Sequence, residues 1–240
     1  MNLEEFENKF VTYLSELNLK LDEKQIRQFY IYMNLLLEWN EKINLTAITQ
    51  EDEIILKHFV DSLTIVKYLK EGATVIDVGT GAGFPGIPIK IVREDVNVVL
   101  MDSLNKRLKF LDEVIKEVEL KKISTIHSRA EELARSKKYR ESFDVATSRA
   151  VANLSTLAEY MLPFVSLGGQ CICMKGAEVE EELEQAKNAI SVLGGKINTI
   201  NTFDLPKSDM GRNIIVIDKV RKTPEKYPRK PGTPAKEPIA

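Results

Sequence analysis

The sequence predicts an α/β protein in which a seven-stranded, mostly parallel sheet with helices on both faces follows an N-terminal helical extension. Two observations predict this class. From residue 72 onward, short apolar segments alternate with amphipathic helical patterns, the arrangement that places parallel strands between helices. Before residue 70, apolar residues recur at helical spacing. The length of 240 residues and the apolar fraction of 43% are sufficient for one large domain with appendages.

The first seventy residues contain three helix start signals. Asn2 with Glu5 forms a capping-box pattern ahead of a first amphipathic helix. Asp22 is placed to cap a second helix and Thr49 a third, because short polar side chains accept hydrogen bonds from the free N–H groups of a first helical turn. We therefore predict a helical extension over residues 1–70, a core over 71–220 and a C-terminal arm over 221–240.

Seven apolar segments after residue 72 predict the strands. The stretches 103–120 and 178–193 between them repeat apolar residues at helical spacing. The strand segments are 74–78, 97–101, 123–126, 143–147, 170–174, 196–203 and 213–219. Their alternation with helices predicts that the carboxyl ends of the parallel strands meet at one edge, where sheets of this kind bind ligands.

Composition excludes several classes of protein. The longest uncharged stretch, 160–174, is shorter than the roughly 20 residues of a membrane-spanning helix and contains Pro163. The acidic, amphipathic N-terminus lacks the basic-then-apolar order of a secretory signal, which favours a cytoplasmic protein. Cys171 and Cys173 have neither a second cysteine pair nor a nearby histidine, so we expect no metal site.

The last twenty residues are basic and rich in proline. Six basic and two acidic residues give residues 221–240 a charge of +4, which leaves −6 on residues 1–220. Five of the nine prolines lie there, so the segment cannot continue a helix or a central strand. Composition by itself favours a solvated, disordered end over an extended arm that lies on a polyanion.

The strongest motif is the glycine-rich turn at residues 75–86, where a buried strand runs into Gly79, Gly81 and Gly83. Glycine permits positive φ and lets a ligand approach the backbone. The letters match the dinucleotide pattern G-x-G-x-x-G, but Asp77, two residues before the first glycine, favours S-adenosylmethionine. A carboxylate suits the sulfonium and ammonium groups of that cofactor and would repel a pyrophosphate. A nicotinamide dinucleotide stays the alternative.

The ends of the next two strands carry further cofactor candidates. Asp102 follows the second strand, where a carboxylate would hold a ribose diol, although it could also simply cap the next helix. Ala130 and Glu131 follow the third strand and could border an adenine, or they could form an ordinary first helical turn. Either cofactor is compatible with these placements.

Together with several other segments, these residues resemble the ribosomal RNA small subunit methyltransferase G family, also called glucose-inhibited division protein B. The resemblance covers nearly the whole chain. The glycine turn is common among methyltransferases, whereas its combination with Asp-Ser-Leu, Ser-Arg-Ala and Pro-Arg-Lys-Pro-Gly is specific to the family. The matching segments are 44–46, 58–63, 77–88, 102–103, 106–107, 128–131, 148–151, 175–176, Arg212 and 226–232.

The resemblance implies a Rossmann-like class I methyltransferase that transfers a methyl group from S-adenosylmethionine to N7 of one guanine in 16S ribosomal RNA, near the decoding site. It implies a bacterial, cytoplasmic enzyme, expected to be a monomer, that acts on 16S rRNA or the small ribosomal subunit. Loss of such an enzyme is linked to streptomycin resistance. The matching cofactor positions are Gly79, Phe84, Ala130, Glu131 and Arg149.

The residues agree with chemistry at guanine N7, mainly by elimination. The fourth strand is not followed by the Asn/Asp-Pro-Pro-aromatic segment that methylation of exocyclic amines commonly uses. Cys171 and Cys173 alternate within a strand, as core residues do, and so do not suggest a nucleophile for pyrimidine C5. Guanine N7 has a free lone pair and needs no general base, so proximity and orientation do most of the work. An NAD-dependent oxidoreductase and a non-catalytic RNA-binding module are the competing hypotheses.

The remaining candidates are side chains that would hold the substrate. They are Arg149, His58, Lys175, Arg212, Arg229 and Lys230. We expect Arg149, His58 and Lys175 to position the guanine, although a lone histidine is as readily a structural residue. We expect Arg212, Arg229 and Lys230 to contact RNA, because all three lie in segments that match the family. Lys106 and Arg107 are interpreted as a solvated helix face.

Overall fold

Seven strands form a single sheet in the computed structural model of the protein, which describes residues 1–149 and 152–239. Ala150 and Val151 of the Ser-Arg-Ala motif, and Ala240 of the arm, lie outside the described residues. The strands are β1 (Thr74–Val78), β2 (Asn97–Asp102), β3 (Ile123–His127), β4 (Phe143–Arg149), β5 (Val165–Lys175), β6 (Gly195–Asp204) and β7 (Gly211–Lys219). Each strand overlaps its predicted segment.

The sheet order is β3-β2-β1-β4-β5-β7-β6. Strands β1 to β5 are parallel, and β7 is antiparallel to both β5 and β6. The predicted seven-stranded, mostly parallel sheet is therefore confirmed. Because β1 and β4 are adjacent while β2 lies on the other side of β1, the order reverses at β1, and the carboxyl ends of these strands frame a crevice.

The helices are α1 (Leu3–Leu14), α2 (Glu23–Ile43), α3 (Glu51–Ile54), α4 (Asp61–Leu63), α5 (Gly86–Val92), α6 (Asn105–Glu117), α7 (Ala130–Leu133), α8 (Leu154–Met161), α9 (Glu180–Val192) and α10 (Thr233–Lys236). The capping boxes predicted at Asn2 and Asp22 are both present. Gln50, rather than Thr49, occupies the N-cap position of α3, so that prediction is wrong. The acidic first turn of α3 is stabilised instead by the amino terminus, whose nitrogen lies 2.5 Å from a carboxylate oxygen of Glu51.

Two apolar clusters cover the two faces of the sheet. Alternate residues of β1 point to opposite faces, so Val75 belongs to one cluster and Ile76 to the other. The first cluster includes the helical extension, where the Phe59 ring packs 5.0 Å from that of Phe29, centre to centre. The extension thus shares a core with the sheet, and the domain limits at residues 70 and 220 stay predictions.

The C-terminal arm is packed against the body of the protein. Tyr227, Pro228 and Pro234 are buried. Arg140 donates hydrogen bonds to the carbonyl oxygen of Tyr227 at 2.8 Å and to that of Thr223 at 2.8 Å. These contacts favour an ordered arm over the solvated end that composition alone suggests, because each satisfies a backbone carbonyl near the surface.

Membrane spans and metal clusters are both absent from the described residues. Within residues 1–149 and 152–239, no helix has the length and apolar character needed to cross a membrane. The same residues contain no group of three or more histidine, cysteine and acidic side chains arranged to hold a metal ion.

Candidate functional site

The glycine-rich turn lies between β1 and α5, at the carboxyl edge of the sheet. Gly79, Gly81 and Gly83 adopt φ values of +71°, +60° and +98°, in the region that favours glycine. The N–H groups of Gly79 and Thr80 donate to the carbonyl oxygen of Met101 on β2 at 2.9 and 3.0 Å. A Cβ atom placed on Gly81 would project into open space, so this part of the loop leaves its backbone accessible to a ligand.

A cavity of 410 Å³ opens over this turn. It is bounded by Leu45, Thr46, His58, Gly79, Thr80, Gly81, Ala82, Phe84, Asp102, Ser103, Arg107 and Arg149. Its size falls in the usual range for small-molecule sites, roughly 300–1,000 Å³. The cavity therefore brings together five of the nine predicted cofactor residues and two of the three predicted substrate-positioning residues.

Asp77 lies beneath the glycine turn rather than in the cavity. Its side chain is fully buried, and one oxygen accepts hydrogen bonds from Thr80 Oγ1 at 2.7 Å and from the Gly86 N–H at 2.8 Å. Burial raises the pKa of Asp77 to about 6. These contacts give Asp77 a structural role, in which it fixes both ends of the turn, while its expected contact with positive groups of the cofactor stays a prediction. The reason for its burial is strand alternation, since Asp77 shares its face of β1 with the core residue Val75.

Gly83 and Tyr32 form a second support for the turn. The Tyr32 hydroxyl, on α2, donates a hydrogen bond to the carbonyl oxygen of Ala82. A Cβ atom on Gly83 would lie 2.7 Å from Ile87 Cδ1 and 2.8 Å from the Tyr32 oxygen. Gly83 is therefore required for close packing, and its expected contact with the cofactor stays a prediction. Tyr32 was not predicted as a site residue, because its sequence position is that of an ordinary core aromatic.

Asp102 faces the cavity from the end of β2 and is almost fully buried. Its carboxylate accepts hydrogen bonds from the N–H groups of Leu104 at 2.8 Å and Gly81 at 3.0 Å. Arg107 Nη1 lies 3.1 Å from the same carboxylate. Arg107 thus lines the cavity, and its interpretation as part of a solvated helix face is wrong. The N-terminal turn of α6 brings it there, five residues after Asp102.

Ala130 and Glu131, at the start of α7, lie outside this cavity as the described residues outline it. Both are buried. A carboxylate oxygen of Glu131 accepts a hydrogen bond from the N–H of Gly232 in the C-terminal arm at 2.9 Å. The expected adenine contacts at these two positions stay a prediction, while the structure shows that the arm reaches the same region.

Phe84, His58 and Arg149 form a stacked group that also lines the cavity. The His58 and Phe84 rings are 4.4 Å apart and nearly parallel, and the Arg149 guanidinium lies 4.8 Å from the centre of the Phe84 ring. Arg149 Nη2 lies 2.9 Å from His58 Nδ1, and His58 Nε2 lies 2.9 Å from Thr46 Oγ1. A guanidinium can only donate, so Nδ1 must accept and Nε2 carries the proton.

The imidazole of His58 is neutral in this arrangement. Burial, together with the positive charge of Arg149, lowers the pKa of His58 to about 3. The only lone pair of the neutral ring is occupied by Arg149. His58 therefore orients Arg149 and has no free lone pair with which to accept a proton from a substrate.

A second cavity, also of 410 Å³, adjoins the first and shares His58 and Arg149 with it. Asp61 lies between two guanidinium groups there, 3.1 Å from Arg149 Nη1 and 3.1 Å from Arg212 Nε. Lys175 also lines this cavity, where its ammonium group contacts a carboxylate oxygen of Glu182 at 2.7 Å. The predicted residues Arg149, His58, Lys175 and Arg212 are thus brought together from separate parts of the chain.

The chain is similar in sequence to a known protein family over most of its length. Residues 25–211 match the family described as rRNA small subunit methyltransferase G. The chain belongs to this family. A relative named ribosomal RNA small subunit methyltransferase G from Acetivibrio thermocellus is 54% identical over 226 residues, which are 94% of this chain and 93% of the relative. A relative of the same name from Clostridium botulinum is 49% identical over 237 residues, 98% of this chain and 99% of the relative.

Solved structures of methyltransferases share the fold of this family member. A SAM-dependent methyltransferase from Aquifex aeolicus superposes with a TM-score of 0.51 at 18% identity, over 66% of this chain and 90% of that one. TYW2 from M. jannaschii, solved in complex with AdoMet, gives a TM-score of 0.52 at 14% identity, over 67% of this chain and 75% of that one. The predicted Rossmann-like methyltransferase fold is thereby confirmed.

In this methyltransferase G family member, Arg229 makes an internal ion pair. Its Nη2 atom lies 2.7 Å from a carboxylate oxygen of Glu159 on α8, and its backbone N–H donates to the other oxygen at 2.7 Å. Glu159 is completely buried, whereas Lys230 is exposed. The structure therefore gives Arg229 an anchoring role, and its expected contact with an RNA phosphate stays a prediction. Glu159 is the one charged residue of helix α8, and an acidic side chain within an apolar helix is rarely buried unless it is paired. This pattern could have indicated a buried ion pair from the sequence.

Proposed function

We propose that the protein transfers a methyl group from S-adenosylmethionine to N7 of one guanine in the 16S RNA of the small ribosomal subunit, and that it works as a cytoplasmic monomer. Membership of the rRNA small subunit methyltransferase G family supports both the reaction class and the ribosomal RNA substrate. The comparisons give no support to an NAD-dependent oxidoreductase or to a non-catalytic RNA-binding module. A ribosomal RNA substrate in turn supports the cytoplasm as the place of action.

The cavity over the glycine turn suits the cofactor. Gly81 presents open backbone, Asp102 presents a buried carboxylate to hold ribose hydroxyls, and Phe84 contributes an apolar wall. S-adenosylmethionine, when bound, supplies an electrophilic methyl group. The protein then has to place the guanine in line with the sulfur–methyl bond and exclude water, which is a task of orientation.

The observation that supports N7 chemistry is the absence of an available base among the described residues that line the two cavities. Asp102 is paired with Arg107, Asp61 lies between two arginines, and the lone pair of His58 is occupied. An exocyclic amine would have to lose a proton to one of these groups. Guanine N7 has no proton to lose, so a site whose basic groups are all engaged can still methylate it.

We expect exposed cations of the C-terminal arm to hold the RNA backbone. Lys230 on the arm is exposed, and the ordered arm brings it to the region of Glu131 through the Gly232 contact. Contacts of this kind to single-stranded RNA make the affinity salt-dependent, with a slope of about −0.7 for each phosphate neutralised. We expect Lys230→Gln to reduce that slope by about one contact, and Arg229→Gln to act instead on the docking of the arm.

The test is methyl transfer by the purified protein to small-subunit RNA, followed by digestion and mass spectrometry of the nucleosides. The expected product is 7-methylguanosine at a single position, mapped by comparison with RNA from cells that lack the gene. The Asp102→Ala variant should require more cofactor for the same rate. A methyl group on an exocyclic amine or on pyrimidine C5 would contradict the proposed reaction.

A further inference from the structure

The second cavity adjoins the cofactor cavity through the side chains of His58 and Arg149, which line both. A planar ligand in it would therefore lie next to the cofactor cavity, on the other side of the His58 ring that stacks on Phe84. Two apolar side chains, Ile48 and Met174, also line this second cavity. Enzymes that act on a base commonly hold it unstacked between apolar or aromatic side chains, and a thioether is well suited to such a surface.

Most cationic groups around this cavity already have internal partners. Lys57 Nζ lies 2.6 Å from a carboxylate oxygen of Glu53, and Lys175 is paired with Glu182. Arg149 uses Nη1 for Asp61 and for the carbonyl oxygen of Lys57, and Nη2 for His58. These contacts fix the walls of the cavity and leave few donors for a ligand.

Arg212 differs in having one end of its guanidinium group available. Nε donates to Asp61 at 3.1 Å, and Nη1 donates to the carbonyl oxygen of Gly211 at 3.0 Å. No acceptor within residues 1–149 and 152–239 is hydrogen-bonded to its Nη2. The side chain is 23% exposed and lines the cavity, so Nη2 is a charged donor in a partly desolvated position.

We propose that this cavity receives the target guanine and that Arg212 Nη2 donates a hydrogen bond to guanine O6, with Asp61 as the residue that positions Arg212. The inference rests on the proposed function. O6 and N7 are neighbouring acceptors on one edge of guanine, and a free arginine would grip both of them. Nε donates its only N–H group to Asp61, and one of the two N–H groups of Nη1 donates to the Gly211 carbonyl. Each two-pronged edge of the Arg212 guanidinium is therefore already partly used, and Nη2 is the nitrogen with both N–H groups left. Arg212 can thus bind O6 while leaving the N7 lone pair to accept the methyl group.

The same contact would select guanine over adenine. Adenine carries an amino donor at position 6 where guanine carries an acceptor, and an arginine donor cannot pair with it. Asp61 holds Arg149 and Arg212 at equal distances of 3.1 Å, so it sets the spacing between the cofactor-side and the base-side guanidinium groups. Specificity would then depend on a residue, Asp61, that need not touch the base.

The experiment compares small-subunit RNA carrying guanosine or 2-aminopurine riboside at the mapped methylation site. The analogue keeps N7 and the 2-amino group but lacks O6 and the proton on N1, so the comparison with Arg212→Gln is what assigns the effect to O6. For the wild-type protein we expect kcat/KM to be about tenfold to a hundredfold lower on the analogue, the effect of losing one hydrogen bond to a charged group. In Arg212→Gln the preference for guanosine should shrink by about the same factor, because guanosine loses the same contact. Comparing the two proteins cancels the intrinsic reactivity difference of the bases.

Two controls accompany this comparison. Lys196→Gln removes an exposed cation at the opposite end of the β6–β7 hairpin and should leave the guanosine preference unchanged. Binding of S-adenosylhomocysteine, measured by calorimetry, should be the same for Arg212→Gln and wild type, which also shows that the variant is folded. A guanosine preference that survives Arg212→Gln, with both rates lowered and a shallower salt slope, would identify a phosphate contact and overturn the inference. Loss of S-adenosylhomocysteine affinity in Arg212→Gln would overturn it as well, since the cavity would then belong to the cofactor.

A third substrate separates the inference from the proposed function. RNA with 7-deazaguanosine at the same site keeps O6 but replaces N7 with carbon. If N7 is the acceptor, every variant should fail to methylate it while still binding it. Methyl transfer to this RNA would refute the proposed reaction, whatever the outcome with 2-aminopurine.

Discussion

The buried carboxylate of Glu159 anchors the C-terminal arm, and Glu159→Gln tests how strongly. Arg229 approaches it with its backbone N–H and Nη2 at 2.7 Å, and with Nε at 3.1 Å from both oxygens. Glutamine keeps the shape and one acceptor but removes the negative charge. It also turns an amide N–H group towards the guanidinium. We therefore expect the arm to open more often in the variant.

The magnitude follows from the charges and their exposure. A hydrogen bond to a charged group contributes about 1.5–3 kcal/mol, against about 0.5–1.5 kcal/mol for a neutral one. Two short bonds lose their charge assistance here, whereas Arg229 is 27% exposed and can regain some hydration. We therefore expect a loss of about 2–3 kcal/mol, below the full cost of an unpaired buried charge. This corresponds to an increase of about 30- to 150-fold in the population of the open arm.

Limited trypsin digestion measures that population, because cleavage of a docked segment proceeds through its opened form when reclosing is fast. Cleavage after Lys226 or Arg229, detected by intact-mass spectrometry, should accelerate by roughly the same 30- to 150-fold. Glu181→Gln makes the same chemical change at an exposed position of α9 and should cleave at the wild-type rate. Equal cleavage rates for Glu159→Gln and wild type would refute the anchoring role.

Three further results are expected. Asp102→Ala should weaken S-adenosylhomocysteine binding in calorimetry by about tenfold or more, and an unchanged affinity would remove Asp102 from the cofactor site. Tyr32→Phe leaves the buried Ala82 carbonyl without its hydroxyl donor, and urea unfolding should show a loss of about 1–3 kcal/mol. Burial lowers the pKa of His58 in the folded protein to about 3, whereas His58 in the unfolded chain binds a proton below about pH 6.5. The free energy of unfolding should therefore fall on acidification between pH 6.5 and about 3. The difference in free energy of unfolding between wild type and His58→Gln should change by about 1.4 kcal/mol per pH unit in this range. Identical pH profiles for the two proteins would contradict a buried neutral imidazole.

The sequence alone determined the features that depend on local pattern. Apolar periodicity located all seven strands, and short polar residues located the first two helix starts. The glycine turn and its position after β1 also followed from local pattern, because positive φ and close ligand approach both require glycine. The family was recognisable from short motifs for the same reason. Thr49 was the exception, since the amino terminus, 50 residues away, stabilises the start of α3 instead.

Only the tertiary structure decided which charged groups meet. The pairs of Asp61 with Arg149 and with Arg212 join residues 88 and 151 positions apart, and that of Glu159 with Arg229 joins residues 70 apart. Composition cannot distinguish an arginine that binds RNA from one that is neutralised by a buried carboxylate, because the difference lies in what the fold places beside it. The same limit applied to Arg107, which the first turn of α6 brings back onto Asp102. Charge is a property of the sequence, whereas the availability of that charge to a ligand is decided by packing.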